Sequence, residues 1–232
     1  MENQPRIKGF LESSFVDWPD RVCAAIFIGG CNFRCPYCHN HELVLHPEAL
    51  SSLTRAEIQE RLRSLKRWLG GVCISGGEPT LDPGLGPLLK ELKQDGWSIK
   101  LDTNGSRPDV LKALIVKGLV DMVAMDVKAP PAGAEKYSQC AGVAVDLDAI
   151  QDSIAVIRQS GLTYQFRMTV LPLFHTREDV QEWVKALGKG PHLKLQNFNP
   201  QSTLNPSFGR EIPFEFGLFA ELCRLTVKEE IF

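Results

Sequence analysis

The chain has 232 residues, 44% of them hydrophobic and 23% charged, with a formal net charge of −2. This composition supplies a sizeable globular core and excludes a disordered chain, and the near-neutral balance removes the electrostatic footprint of a nucleic-acid binder. No apolar stretch approaches the roughly 20 residues that cross a bilayer, and Met1-Glu2-Asn3-Gln4-Pro5 lacks the basic-then-apolar start of a signal peptide, so no membrane and a cytoplasmic location are expected.

Residues 7–15, followed by the turn-prone Val16-Asp17-Trp18-Pro19-Asp20-Arg21, predict a short N-terminal hairpin over residues 1–21. Residues 22–28 are apolar on both faces, as a parallel strand covered on each side must be. Gly29-Gly30 then frees the backbone for Cys31-Asn32-Phe33-Arg34-Cys35-Pro36-Tyr37-Cys38, three thiols within eight residues. Thr54 with Glu57 three residues on is a capping-box pattern, and Ile58, Leu62, Leu65, Trp68 and Leu69 follow at helical spacing up to Gly70-Gly71. The strand Val72-Cys73-Ile74 ends in Ser75-Gly76-Gly77-Glu78-Pro79, and a helix is expected over residues 85–94.

The alternation continues with a strand at Trp97-Ser98-Ile99-Lys100-Leu101 leading to Asp102-Thr103-Asn104-Gly105, then a helix over residues 108–117. Met122-Val123-Ala124-Met125 is a strand ending in Asp126-Val127-Lys128, after which Ala129-Pro130-Pro131 breaks regularity. Leu147, Ile150, Ile154 and Ile157 mark a helix, residues 164–170 a strand, Val180, Trp183, Val184 and Leu187 a helix, and residues 193–198 a sixth strand. Residues 199–213 read as a long loop, before a last helix faced by Leu218, Phe219, Leu222 and Leu225.

Six strands alternating with six helices imply right-handed βαβ units and a parallel sheet, hence an α/β fold in the form of an open, partial (β/α)6 barrel. With no linker or repeat, one domain is expected over 1–232: the hairpin, the partial barrel over 22–198, and a C-terminal loop and helix over 199–232. In such folds the working residues gather at strand C-terminal ends. The cysteine loop, Ser75-Gly76-Gly77-Glu78, Asp102-Thr103-Asn104 and Asp126-Val127-Lys128 all fall there, so one mouth can collect them.

Three clustered thiolates leave a metal site one ligand short. An iron–sulfur cube with three cysteines offers its fourth iron to another molecule, whereas a structural zinc site would recruit a fourth ligand such as His39 or His41. The other four cysteines, Cys23, Cys73, Cys140 and Cys223, form no second motif and read as buried small hydrophobes. Asp126 and Lys128, two apart on a strand, can face one mouth together, and Arg167 among apolar neighbours needs an anionic partner.

The Cys-x3-Cys-x2-Cys spacing, with Phe33 and Tyr37 inside it, resembles the cluster-binding motif of the radical S-adenosylmethionine superfamily. The resemblance implies a [4Fe-4S] cluster on Cys31, Cys35 and Cys38, S-adenosyl-L-methionine on the open iron, and reductive cleavage to a 5′-deoxyadenosyl radical. Gly76-Gly77-Glu78-Pro79 resembles the family's Gly-Gly-Glu motif, which implies that backbone and the Glu78 carboxylate hold the methionyl amino end. The positions beyond it resemble those of glycyl-radical activating enzymes. That likeness implies that Asp102, Thr103 and Asp126 bind the ligand or a monovalent cation, that Asn104 belongs to the same cofactor site, and that Lys128 and Arg167 meet ligand polar groups. Where such relatives place a ligand-contacting histidine after the sixth strand, this chain has Asn199. From Phe15-Val16-Asp17-Trp18-Pro19 to Asp126-Val127-Lys128 the chain is similar to the longer activating proteins of anaerobic ribonucleoside-triphosphate reductase, which implies a glycyl-radical enzyme as partner and a flavodoxin- or ferredoxin-type reductant. Carboxy-deazaguanine synthases, of similar length, keep the same radical chemistry on a small molecule. A zinc or electron-transfer module is the reading from a different class.

Overall fold

A computed structural model describes residues 4–227; residues 1–3 of the expected hairpin and 228–232 of the C-terminal segment lie outside them. Strand β1 (Ile7–Ser14) pairs antiparallel with β2 (Cys23–Ile28), so the hairpin expected within residues 1–21 instead takes the first core strand as its second arm. The chain continues through α1 (His41–Leu45), α2 (Arg55–Leu65), β3 (Gly71–Gly76), α3 (Leu85–Gln94), β4 (Ile99–Thr103), α4 (Pro108–Val116) and β5 (Met122–Asp126). Then come α5 (Ala134–Ala141), α6 (Leu147–Gln159), β6 (Thr163–Val170), α7 (Arg177–Leu187), β7 (Leu193–Asn197) and α8 (Phe216–Arg224). The seven strands stand in chain order in one sheet, parallel from β2 to β7. The sheet is an open partial barrel, because β1 and β7 are its two edges and do not pair with each other.

Strand parity divides the interior in two, since successive side chains point to opposite faces. One set, including Val72, Ile74, Ile99, Leu101, Val123, Met125, Phe166 and Met168, packs in the large core with Leu88, Leu111, Ile157 and Trp183 of the helices. The other parity at the base of the lumen is small: Cys23, Ala25 and Cys73 cluster with Met122 and with Trp18 from the hairpin turn. Trp18 plugs the base by lying against Gly71, where any Cβ would meet the indole at 2.7 Å. Capping boxes at Thr54 with Glu57 and at Thr176 with Asp179 start α2 and α7, each satisfying N–H groups that a helix leaves unpaired.

Five local expectations change. Helix α2 ends at Leu65, so Trp68 is not on its apolar face and is 78% exposed. Strand β4 begins two residues late and runs through Asp102 and Thr103, which are strand rather than loop. Directly after the Ala129-Pro130-Pro131 break comes α5, an unanticipated helix bracketed by Gly133 and by Gly142, whose φ of +69° suits a glycine C-cap. The long loop contains a short 3-10 turn at Pro206–Arg210, and on α8 Leu218 is exposed while Leu222 is buried.

Trp183 on α7 is fully buried, and its Nε1 donates to the Val127 carbonyl at 3.1 Å, just past the end of β5. Trp183→Ala is expected to cost about 3–5 kcal/mol, read as a lowered urea midpoint. Trp183→Phe should lose less, since it keeps most of the packing and forfeits mainly the hydrogen bond to Val127.

Candidate active site

At the C-terminal ends of the strands, one cavity of about 250 Å³ is lined by Cys31, Cys35, Cys38 and Tyr37 on one side and by Gly76, Gly77, Asp102, Thr103, Asn104, Asp126, Lys128 and Arg167 on the others. Of the residues expected there, Glu78 alone is missing from the wall. Ser75 and Asn40 line it as well, and Thr169 and Gln196 do so without having been anticipated. Thr169 shares strand parity with Arg167, which is the signal that could have found it, whereas Gln196 is brought in by its register with Thr169.

The cysteine loop is held from behind by backbone contacts. Gly30, at φ +90°, donates to the Leu43 carbonyl at 2.7 Å, and Arg34 N donates to Ala141 O at 2.8 Å, tying the loop to the end of α5. The contact is close enough that a Cβ on Gly142 would stand 2.0 Å from Arg34 O. Arg34 Nη1 donates back to the Cys31 and Phe33 carbonyls at 2.6 and 2.8 Å. Phe33 and Tyr37 are buried, so the aromatic positions of the motif act as anchors while the thiols face the cavity.

The donor set suits a cluster. Burial pushes the Cys31 and Cys35 thiols up to about 11, and Cys38 upward as well. Against this, Phe33 N lies 3.3 Å and Asn104 Nδ2 3.8 Å from Cys31 Sγ, and the Asn40 backbone faces Cys38. N–H groups aimed at sulfur favour the anionic form that ligates iron. Among the described residues no three His, Cys, Asp or Glu side chains converge as closely as a single metal ion requires. His39 and His41, the tempting fourth ligands for zinc, instead turn their Nε2 atoms to Asn199 O at 2.8 Å and Ser202 Oγ at 2.9 Å.

Those histidine contacts belong to a strap. Residues 199–215 lie over the cysteine loop, with Leu204 N donating to Cys38 O and Asn205 N to Pro36 O at 3.1 and 2.9 Å. Phe208 seats the strap against Phe174 and Phe198. The Asn199 side chain caps Gln201 N within its own loop, so it does not replace a ligand-facing histidine.

The Gly-Gly-Glu stretch fastens β3 to the strands and loop around it. A Cβ on Gly77 would stand 2.0 Å from Gly30 O, and one on Gly76 2.4 Å from Ile28 O. The glycines are therefore required by the approach of β3 to the start of the cysteine loop. The Glu78 carboxylate is buried and accepts from Thr80 N and Oγ1, Thr103 Oγ1 and Asn104 N, at 3.1, 2.5, 2.8 and 2.6 Å. It is turned away from the cavity because its lone pairs join the ends of β3 and β4.

The cavity floor is a chain of charges. Register places Asp126 beside Arg167, whose Nε donates to Asp126 Oδ1 at 2.8 Å and whose Nη1 reaches Asp102 Oδ2 at 3.1 Å. Lys128 Nζ holds Asp126 Oδ2 at 3.0 Å, and buried Lys100 bonds Asp102 Oδ1. The anionic partner that Arg167 requires is thus supplied by the chain itself. Burial alone would raise the Asp126 carboxyl, but Arg167 and Lys128 hold it well below the usual carboxylate range. The end of β5 is backed by His175, which accepts from Leu171 N at Nδ1 (3.3 Å) and donates from Nε2 to Lys128 O (2.9 Å), and which burial keeps toward its neutral form. The monovalent-cation site expected of Asp102, Thr103 and Asp126 does not fit: both carboxylates are engaged by ammonium and guanidinium groups, and the Thr103 hydroxyl is turned to Glu78.

Two outcomes check this geometry. Glu78→Gln puts an amide NH2 against donors at Thr80, Thr103 and Asn104 and should cost about 1–3 kcal/mol in denaturant unfolding. The depressed Asp126 carboxyl contributes stability that is fully present above its unfolded value near 4 and is lost as pH falls. Asp126→Asn should therefore lower stability at pH 7 and flatten the limb of the stability curve below pH 4, measured from pH 7 to pH 2.

Residues 25–187 match the sequence profile of the Radical SAM superfamily. A putative glycyl-radical enzyme activating enzyme of Methanocaldococcus jannaschii is 31% identical over 207 residues, covering 87% of this chain and 83% of that protein. A 7-carboxy-7-deazaguanine synthase of Methanopyrus kandleri is 31% identical over 147 residues, 53% of this chain and 54% of the synthase. Among solved structures, a radical SAM methyltransferase from Sphaerobacter thermophilus shares the fold at a TM-score of 0.64 and 18% identity, covering 92% of this chain and 65% of that one. With a three-thiol cavity at the mouth of a partial barrel and a profile match over most of its length, the chain belongs to the radical SAM superfamily, whose members use S-adenosylmethionine and a [4Fe-4S] cluster, and is an enzyme of that family.

Proposed function

We propose that this protein is a glycyl-radical activase: it binds a [4Fe-4S] cluster through Cys31, Cys35 and Cys38, holds S-adenosylmethionine in the adjoining cavity, and removes a hydrogen atom from a backbone glycine of a partner enzyme. The observation that carries the reading is that three thiols and a floor of buried charges face one cavity. When bound, the cluster and its cofactor supply the one-electron chemistry and the radical; the chain supplies placement. Lys128 and Arg167 present positive charge where an amino-acid carboxylate would lie. Asn104 bonds Asn32 Oδ1 at 2.9 Å and keeps the β4 end against the cysteine loop. Asn40 Nδ2 holds Gly76 O at 2.9 Å and does the same for β3. Tyr37, Phe33 and Val44 form an apolar wall that keeps bulk water from the thiols.

The activase is favoured over a small-molecule synthase by the extent of likeness, which spans 87% of the chain for the activating-enzyme relative and 53% for the synthase. We assign the partner to anaerobic ribonucleoside-triphosphate reductase, the reductant to a flavodoxin or ferredoxin, and the setting to the cytoplasm, with residues 1–232 acting as one domain. Among the described residues no helix is long and apolar enough to cross a membrane.

The test is anaerobic reconstitution with iron and sulfide, reduction, and addition of S-adenosylmethionine with the reductase. A glycyl-radical doublet in the electron paramagnetic resonance spectrum, with 5′-deoxyadenosine formed, is expected. Release of 5′-deoxyadenosine with no protein radical on any glycyl-radical enzyme would move the substrate to a small molecule; no 5′-deoxyadenosine at all would sink the cofactor assignment.

A further inference from the structure

The floor of the cavity carries three cations, Lys100, Lys128 and Arg167, against two carboxylates, Asp102 and Asp126. Lys100 is the unusual member. Its side chain is 1% exposed, and register sets it between Cys73 on β3 and Met122 on β5, so its neighbours are Cys73 Sγ at 3.7 Å and the Asp102 carboxylate. Burial keeps the Cys73 thiol in its neutral form. The ammonium therefore has one anionic partner, and a buried charge without its partner is strongly unfavourable.

We propose that Lys100 stands in place of a bound monovalent cation, so that the floor beneath the cofactor site requires an anion and takes no metal ion. The proposal rests on reading the cavity as the S-adenosylmethionine site. A hard cation needs several oxygen ligands gathered around it. Here Asp102 Oδ1 is held by Lys100, and Asp102 Oδ2 by Arg167 and by Ser75 Oγ at 3.1 Å. Asp126 offers one oxygen to Arg167 and the other to Lys128. Thr103 Oγ1 donates to Glu78 and accepts from Gly105 N at 3.1 Å. The five charged side chains of the floor sum to +1, which a ligand carboxylate would balance, whereas an added cation would meet oxygens that already hold ammonium and guanidinium groups. Lys128 and Arg167 line the cavity, so the ligand carboxylate would bind them directly.

The experiment uses the reconstituted protein in buffers whose cation is sodium, potassium or tetramethylammonium. Equilibrium dialysis reads S-adenosylmethionine affinity, and the line width of the sodium-23 magnetic resonance signal reads ion binding without any cofactor. The wild type should bind the cofactor within twofold in all three media and show no sodium broadening that potassium displaces. Lys100→Met should lose tenfold or more in tetramethylammonium, recover in sodium or potassium, and acquire displaceable broadening; Lys100→Arg should stay independent of the ion. A wild type that gains tenfold with sodium or potassium, or that shows displaceable broadening, overturns the proposal. So does a folded Lys100→Met protein whose affinity is the same in all three media. If Lys100→Met does not fold, the wild-type measurements decide alone. Absence of cofactor binding in every medium would remove the cofactor reading, while the sodium signal would still decide whether an ion binds.

Discussion

The placement of Arg167 between two aspartates is the interaction on which the mouth of the barrel depends. One guanidinium spans Asp102 at the end of β4 and Asp126 at the end of β5, from a strand that neighbours only the second of them. Such a bridge is strong because a planar fork of donors meets two carboxylates at once, in surroundings drier than the surface. It also sets the spacing of the strand ends that carry the remaining polar groups. Lys100 and Lys128 extend the chain of charges downward into the lumen and outward to the cavity.

Around this centre the loops are fastened by groups that never reach the cavity. Glu78 binds β3 to β4, Trp183 and His175 hold the backbone beyond β5, and the end of α5 grips Arg34 in the cysteine loop. Buried polar groups with their partners satisfied rigidify what they join. The thiols thus sit on a frame whose parts are individually anchored, which is what placement of a reactive cofactor demands.

Much of this was legible in the sequence. Apolar periodicity gave the order of strands and helices, and the rule that function gathers at strand C-terminal ends brought the right motifs to one mouth. The parity argument that paired Asp126 with Lys128 also holds for Lys100 and Asp102. Lys100 itself drew no expectation, because a sequence does not show that the inner face of β4 is roofed by other strands. The contacts of Glu78 were hidden for a related reason: its partners Thr103 and Asn104 come from the next strand, and only packing brings them to it. Helix α5 was hidden by the prolines before it and by its own polar face, and tertiary contacts with the cysteine loop and α7 sustain it.

The strap over the cysteine loop has a further meaning. It is joined to that loop through the main chain at Pro36 and Cys38, and through His39 and His41. None of the strap residues lines the cavity, so these bonds brace the turn that carries Cys35 and Cys38 from outside and leave the mouth open above its thiols.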